Sequence, residues 1–147
     1  MEYHEAVARL APCGLDCSRC ADFRDGEIRA LSARLKELLG NYQRLAAMKA
    51  AGRPEFAHYG QFAAILDSFA AAPCSGCRGD NVTCPLDCTA KTCHKDNGVD
   101  FCFQCGEYPC DKQFEGKLRD RWRSINDRMR EIGAAAYCEE QGKLPRY

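Results

Sequence analysis

The sequence lacks any long run of apolar residues, and this absence bears on where the protein works. Residues 1–12, MEYHEAVARLAP, include Glu2, Glu5 and Arg9, so they offer no apolar stretch of signal-peptide length. Nowhere does the chain approach the roughly 18 consecutive apolar residues of a membrane span. The sequence therefore predicts a soluble, cytoplasmic protein with reduced thiols and no membrane partner.

An excess of charge of one sign is also missing. The 21 Lys and Arg residues balance 21 Asp and Glu residues, so the formal net charge is zero. Within residues 74–110 the acidic residues outnumber the basic ones, and each zinc ion held there by four thiolates would add negative charge. Phosphates are repelled by such a surface. We therefore expect no nucleic-acid partner.

Familiar catalytic motifs are absent too. The chain has no Ser/His/Asp set, no Gly-rich phosphate loop and no His-Glu metalloprotease spacing, and its histidines, His4, His58 and His94, fall in no recognisable motif. These absences argue against the common hydrolases, phosphoryl-transfer enzymes and metalloproteases. The sequence leaves open whether the protein is an enzyme at all.

Cysteine is what the sequence has in abundance. Eight of the twelve cysteines lie within residues 74–110, at positions 74, 77, 84, 88, 93, 102, 105 and 110. In the pairs Cys74–Cys77 and Cys102–Cys105, two residues separate the cysteines and a glycine follows closely. Two thiolates at this spacing face one ion at about 2.3 Å, and glycine adopts the positive φ that turns backbone N–H groups toward them. The pattern is typical of zinc knuckles.

The segment between these pairs has no means of folding by hydrophobic burial alone. Its residues are turn formers, which make poor helices and strands: Asp80, Asn81, Pro85, Asp87, Asp96, Asn97 and Gly98. A structural zinc ion contributes on the order of 10 kcal/mol in small zinc peptides, enough to order such a loop. A disulfide framework is the alternative, but the lack of a secretion signal favours metal binding.

The N-terminal loop Cys13-Gly-Leu-Asp-Cys17-Ser-Arg-Cys20 carries three further cysteines. Three thiolates are one fewer than a closed tetrahedral site needs. The spacing is similar to that of radical S-adenosylmethionine enzymes, yet Arg19 stands where those enzymes usually have an aromatic residue, and the next fifty residues supply no barrel repeats. The loop is better interpreted as part of a zinc site or of a conventional iron–sulfur site.

Helical periodicity dominates the rest of the chain. After Asp25, a potential cap, apolar residues recur at intervals of three and four until about Ala51, and a second such run begins at Pro54 and stops at Pro73. We predict a helical hairpin over residues 25–72. The stripe of the first helix is amphipathic. The aromatic row at helical spacing could line a ligand groove, but it is interpreted as an ordinary core face.

The C-terminal part is predicted to be helical as well. Asp111 is a potential cap for a third helix that ends at Gly133, and a short helix fits residues 134–141. Nothing is strand-like over more than a few residues. The predicted fold is therefore mainly α: one domain, 1–147, with the hairpin and the C-terminal helices of 111–141 packed around irregular Cys-rich loops at 13–20 and 74–110.

The order of these motifs resembles a known cysteine-rich family, domain of unknown function 3795. The resemblance is carried by Cys13-Gly-Leu-Asp-Cys17-Ser-Arg-Cys20, Cys74-Ser-Gly-Cys77, Lys91-Thr-Cys93, Asn97-Gly98-Val99, Phe101-Cys102-Phe-Gln-Cys105, Tyr108-Pro109-Cys110, Arg128-Met-Arg-Glu-Ile-Gly133 and Glu139-Glu140-Gln141. It implies metal binding and no settled biochemical activity. By position it assigns ten cysteines as family cysteines, with Cys84 close to an expected position, whereas His94 and Cys138 depart from the pattern.

The predicted metal ligands are eleven cysteines: Cys13, Cys17, Cys20, Cys74, Cys77, Cys84, Cys88, Cys93, Cys102, Cys105 and Cys110. They suffice for two closed four-cysteine sites and one open triad. We predict that Cys74 and Cys77 join two of Cys84, Cys88 and Cys93, and that the third joins Cys102, Cys105 and Cys110. Alternatively, Cys110 completes the N-terminal triad, with His94 or Cys138 filling a gap elsewhere.

Zinc is the predicted metal, and an iron–sulfur cluster is the alternative. Two functions follow from the two metals. In the first, zinc is structural and the exposed surface binds a protein partner. In the second, the triad Cys13, Cys17 and Cys20 keeps a position free for substrate or for a cluster iron, as in a metal enzyme or redox protein.

Overall fold

The computed structural model describes residues 1–147 and contains seven α-helices and no strand. The helices are α1 (Tyr3–Arg9), α2 (Glu27–Leu39), α3 (Gln43–Lys49), α4 (Tyr59–Ala70), α5 (Ala90–Asp96), α6 (Gly116–Ile132) and α7 (Ala134–Gly142). Short 3-10 turns occur at Cys17–Arg19, Pro54–His58 and Cys102–Gln104. The mainly helical fold class is confirmed.

The hairpin predicted over residues 25–72 is formed by α2 and α4, but neither arm is one continuous helix. The first arm breaks at Gly40, where φ is +48°, a conformation that glycine adopts easily. The second arm starts as a 3-10 turn before α4 begins at Tyr59. The predicted cap Asp25 is not used, since the N-cap position of α2 is Gly26.

The two arms run antiparallel, as contacts at both ends of the hairpin show. Near the base, Phe23 pairs with Cys74 in an isolated bridge, while near the tip the rings of Tyr42 and Tyr59 lie 5.3 Å apart. Between these ends, Lys36 Nζ meets Asp67 Oδ1 at 2.8 Å. The base of the hairpin therefore lies at the Cys-rich loops, and its tip lies at Tyr42 and Tyr59.

The largest apolar core lies elsewhere, between α1, α6 and α7. It contains seven buried residues: Ala6, Leu10, Phe101, Met129, Ala134, Tyr137 and Cys138. Gly14 packs tightly against this region, because a Cβ atom there would lie 2.2 Å from Ile125 Cγ2 and 2.6 Å from Met129 Cε. The core thus holds the loop of residues 13–20 against α6.

Two predictions for the later part of the chain are wrong in detail. The third helix, α6, starts at Gly116 rather than after Asp111, and its N-cap position is Glu115. The segment 74–110, predicted to be irregular, contains the helix α5.

No helix is both long and apolar enough to cross a membrane.

Candidate metal centre

Eleven of the twelve cysteines line two cavities, and all twelve are free thiols. The first thiol cavity, of about 70 Å³, is lined by Cys13, Cys17, Cys20, Cys74, Cys77, Cys84 and Cys88. The second thiol cavity, of about 30 Å³, is lined by Cys93, Cys102, Cys105 and Cys110. These eleven are the residues predicted as ligands, and the structure sorts them into groups of seven and four.

The first thiol cavity joins the N-terminal loop to the start of the 74–110 segment. The backbone N–H of Arg24 donates to the Cys74 carbonyl at 2.9 Å, and the N–H of Cys74 donates to the Asp22 carbonyl at 2.9 Å. These bonds fix the chain just after Cys20 beside Cys74. The three-cysteine loop therefore does not stand alone, and Cys110 lines the other cavity.

Two thiols of the first thiol cavity, those of Cys17 and Cys77, lie next to each other. The neighbouring Cys77 lowers the pKa of Cys17, and the same interaction raises the pKa of Cys77. Burial raises the pKa of Cys13 to about 12. The cavity thus combines a readily ionised thiol at Cys17 with protonated thiols at Cys13 and Cys77.

The second thiol cavity collects four cysteines from three short elements. Cys93 comes from α5, Cys102 and Cys105 flank a 3-10 turn, and Cys110 follows the turn at residues 106–109. Burial raises the pKa of Cys93, and that of Cys102 to about 12. Four thiols are the complete ligand set of a tetrahedral zinc site. This grouping matches the predicted arrangement in which Cys93 joins the later pair.

Buried polar atoms without hydrogen-bond partners cluster around the second thiol cavity. Only four such side-chain atoms occur in the protein, and three belong to residues that line this cavity: His94 Nε2, Gln113 Oε1 and Trp122 Nε1. The Trp122 indole interacts with Cys102 and opposes the rise in its pKa. An N–H group left unpaired beside a neutral thiol is costly, whereas a metal-bound thiolate is a good acceptor for it.

His94 is oriented as a hydrogen-bond donor to this cavity. Arg78 lies 3.3 Å from His94 Nδ1, and because a guanidinium has no acceptor, Nδ1 must be the accepting nitrogen. The hydrogen of the neutral ring is then on Nε2, the atom without a partner. Burial and the Arg78 charge lower the pKa of His94, which keeps the ring neutral. In this state neither ring nitrogen is available to a metal.

Asn126, which was not among the residues predicted from the sequence, links the two thiol cavities. Asn126 is fully buried on α6; its amide donates to the Cys13 carbonyl at 3.0 Å and accepts from the Phe103 N–H at 3.1 Å. The backbone N–H of Cys102 also donates a hydrogen bond to the Pro12 carbonyl at 2.9 Å, which joins the same two segments. The signal in the sequence was an amide on the apolar stripe of α6, four residues after Trp122.

Cys138 lies outside both cavities. It is fully buried on α7 within the apolar core, where it packs with Leu10 and Tyr137. The structure places it as a small apolar residue, the role that free cysteine often has.

The chemistry of the thiols fits zinc, although their present arrangement is not that of a formed site. No three His, Cys, Asp or Glu side chains converge closely enough to hold an ion, and zinc-knuckle geometry is not seen. Each sulfur, however, moves by rotation about a single χ1 torsion. Reduced thiols crowded around two small cavities without forming disulfides are a soft donor set, suited to zinc or to an iron–sulfur cluster.

Comparison with known families decides the identity of the chain. Residues 9–115 match the model of the family described as "Protein of unknown function (DUF3795)". The chain belongs to the DUF3795 family. No curated protein and no solved structure matches the chain. The family predicted from the order of motifs is therefore confirmed, and its description assigns no function.

The part of the chain that matches DUF3795 contains every cysteine of both thiol cavities. All eleven cavity cysteines lie between residues 13 and 110, inside the matched range, and Cys138 lies outside it. The match ends at residue 115, where α6 begins. Asn126 and Trp122, which hold and flank the cavities, are supplied by the helix beyond the match.

Proposed function

We propose that this DUF3795 protein binds zinc through its two thiol cavities, that the metal is mainly structural, and that the helical hairpin presents a surface for a protein partner. The observation that carries the proposal is the sorting of eleven reduced thiols into two cavities, with only Cys138 left in the apolar core. Such a loop-rich segment needs cross-links, and in the absence of disulfides metal ions supply them.

The number of thiols suggests how many ions bind. The second thiol cavity has four, which suit one closed tetrahedral site. The first thiol cavity has seven, the number needed by two four-coordinate ions that share one bridging thiolate. Cys17 and Cys77, already in contact, are candidates for the bridge. The proposed load is three zinc ions per chain.

The protein-binding surface is the apolar face of the hairpin. On α2 the stripe is Leu31, Leu35 and Leu38, and on α4 it includes Phe62 and Ile65. The side chains of Leu31, Leu38 and Ile65 are 61%, 67% and 56% exposed. Leu35 and Phe62 line one groove of about 470 Å³, so the two stripes share a face. The three leucines of α2 are therefore outside the buried core.

An exposed apolar face of this size marks an interaction site. A two-helix layer with one apolar face normally buries it against another layer, and this chain provides none. A monomeric protein rarely leaves such a contiguous patch in water without a function. A partner helix laid along the groove would bury these side chains, as amphipathic helices do in hydrophobic grooves.

An open metal site is the second candidate function. If only one ion occupies the first thiol cavity, four thiols close its coordination and three remain. Three spare thiolates suit a substrate-accessible ion or a cluster iron, which would make the protein a metal enzyme or redox protein. The surplus of thiols in the first thiol cavity is the observation that favours an open metal site.

Element analysis of protein purified without added metal tests the proposal. Three zinc ions per chain without visible colour support structural zinc in both cavities. Two zinc ions, which leave three thiols of the first thiol cavity unused, or iron with sulfide and a band near roughly 400 nm, support the second candidate. Protein that contains neither metal, and that binds neither after reduction, contradicts both.

Site-specific photo-cross-linking tests whether the apolar face of the hairpin binds a protein partner. A photoreactive residue at Leu38 should capture a partner protein in cells, while the same residue at Arg29, on the opposite side of α2, should not. Leu31→Glu should abolish the cross-link from position 38. Equal capture from positions 29 and 38 would contradict a docking face on the apolar side.

A further inference from the structure

A third cavity, of about 230 Å³, lies beside the N-terminal cysteine loop and contains no cysteine. Its walls come from the loop of residues 13–20, from α6 and α7, and from the C-terminal segment 143–147. We call it the polar cavity. Its charged residues are Asp16, Arg19, Arg121 and Arg146.

Positive charge exceeds negative charge in the polar cavity. Three arginines face one carboxylate, that of Asp16. One oxygen of Asp16 accepts a hydrogen bond from Ser18 at 2.6 Å, while the other has no hydrogen-bond partner and lies 4.0 Å from Arg9, which is outside the cavity. The guanidinium groups in the cavity are left in excess.

One of the arginines is committed to the fold. Arg19 donates to the carbonyl oxygens of Gln141 and Leu144, which fastens the end of α7 to the cysteine loop. This arginine contributes charge to the cavity, but both of its terminal nitrogens are engaged by the fold.

The other donors in the cavity are free. Arg121 forms no hydrogen bond and no ion pair, and Arg146 uses only Nε, on the Asp16 carbonyl at 3.1 Å, which leaves both terminal nitrogens. Tyr137 is 4% exposed, lines the cavity, and its hydroxyl forms no hydrogen bond. The Tyr137 hydroxyl is therefore free to donate a hydrogen bond to a ligand in the cavity.

We propose that the polar cavity binds a small oxyanion, a phosphate or carboxylate group on a compact molecule. Arg121 supplies a planar fork of donors suited to two oxygens of such a group, and Arg146 and Tyr137 supply the remaining donors. Leu15, Ile125 and Pro145 give the cavity an apolar side, which a short carbon body would contact. Because the segment 143–147 forms one wall, the bound anion joins that segment to α6.

Two arginines of α6 provide a matched pair of variants. Arg121 lines the polar cavity, while Arg123, two residues later, is also exposed but does not line it. Arg121→Met and Arg123→Met change the net charge and the helix propensity equally. A difference in anion affinity between the two variants therefore reflects binding in the polar cavity rather than general electrostatic attraction.

Isothermal titration of the full chain with inorganic phosphate, and separately with succinate, tests the inference at constant ionic strength. We expect saturable binding of one of the two per chain, kept in Arg123→Met and weakened at least about tenfold in Arg121→Met, the effect of losing a charge-assisted bidentate pair. Tyr137→Phe should weaken binding less, and tighter phosphate or succinate binding identifies the headgroup. Absence of saturable binding of both anions, or equal affinity in Arg121→Met and Arg123→Met, overturns the inference, and neither result bears on the zinc load.

Discussion

The Asn126 side chain donates a hydrogen bond to the Cys13 carbonyl at 3.0 Å across 113 residues of sequence. The same amide accepts from Phe103 N–H and also donates to the Trp122 carbonyl at 2.9 Å. One fully buried side chain therefore holds the first cysteine of the first thiol cavity and the 3-10 turn of the second against α6.

Replacing Asn126 by Ala should destabilise the protein markedly. The change leaves the Phe103 N–H and the Cys13 carbonyl buried without this partner, and each unpaired group costs about 1–3 kcal/mol. We expect a loss of about 2–4 kcal/mol in the free energy of unfolding, measured by urea denaturation of the variant and the parent. Asn41→Ala, at an exposed position without hydrogen bonds, is the control and should change little. An Asn126→Ala protein as stable as the control would show that the amide bridge is dispensable.

Cysteine variants should separate ligands from core residues. Cys105→Ser removes one of the four thiols of the second thiol cavity, so it should lose one zinc ion and lower the melting temperature strongly. Cys77→Ser should likewise reduce the metal content of the first thiol cavity. Metal content is measured by mass spectrometry of the elements on purified protein.

Cys138→Ala is the matched control for these variants. Its side chain packs in the apolar core, so the change should leave the zinc content unaltered and cost about 1 kcal/mol or somewhat more from the small cavity it creates. Loss of a whole zinc equivalent from Cys138→Ala would make Cys138 a ligand and contradict its placement. An unchanged melting curve of the parent protein after strong chelation under reducing conditions would contradict a structural role for the metal.

Zinc binding should release protons, and the apparent affinity should therefore rise with pH. Burial raises the pKa values of Cys88 and Cys93, and those of Cys13 and Cys102 to about 12, so these thiols carry protons at pH 6–8 in the metal-free protein. Since thiolate is the ligand, each displaced proton makes the affinity rise about tenfold per pH unit in that window. Acidification should release the metal for the same reason.

Calorimetric titration of zinc in buffers with different enthalpies of ionisation measures this release. The observed enthalpy should vary linearly with the buffer enthalpy, with a slope equal to the number of protons released. A buffer-independent enthalpy would mean that the thiols are already ionised in the metal-free protein.

The C-terminal segment should protect Cys20 from alkylation. The Tyr147 hydroxyl accepts from the Ala21 N–H at 2.8 Å and donates to Cys20 Sγ at 3.5 Å. Deleting residues 144–147 removes this cover, so Cys20 should react faster with iodoacetamide during mild chelation, as peptide mass spectrometry would show. Cys110, in the other cavity, is the internal control. Unaltered labelling of Cys20 relative to Cys110 would show that the segment does not shield the loop.

The same labelling experiment on the intact chain distinguishes a closed from an open N-terminal triad. Because Cys13, Cys17 and Cys20 share a cavity with four other thiols, we expect a closed arrangement that resists alkylation. Early, preferential labelling of these three cysteines under mild chelation would favour the open-site function instead.

Much of the fold was predictable because its signals are local. The periodic apolar residues of α2, α4 and α6 indicated helices, and the mainly α class is confirmed. Boundaries were less accurate: the break at Gly40 and the start of α6 at Gly116 depend on packing and local backbone geometry that periodicity does not report. The leucines of α2 illustrate the limit, because an amphipathic stripe shows that a helix has an apolar face but not whether this chain covers it.

The sequence by itself determined which residues are the candidate ligands and which family the chain belongs to. Cys-x-x-Cys spacing is a local property of the chain, so the ligand candidates could be named before the fold was known. Only the tertiary structure decided how they are grouped, since Cys13 and Cys77, or Cys93 and Cys102, meet through contacts between distant segments. Bonds such as Asn126 to Cys13 bring those segments together, and because such contacts can join any two parts of a chain, spacing along the sequence does not specify them.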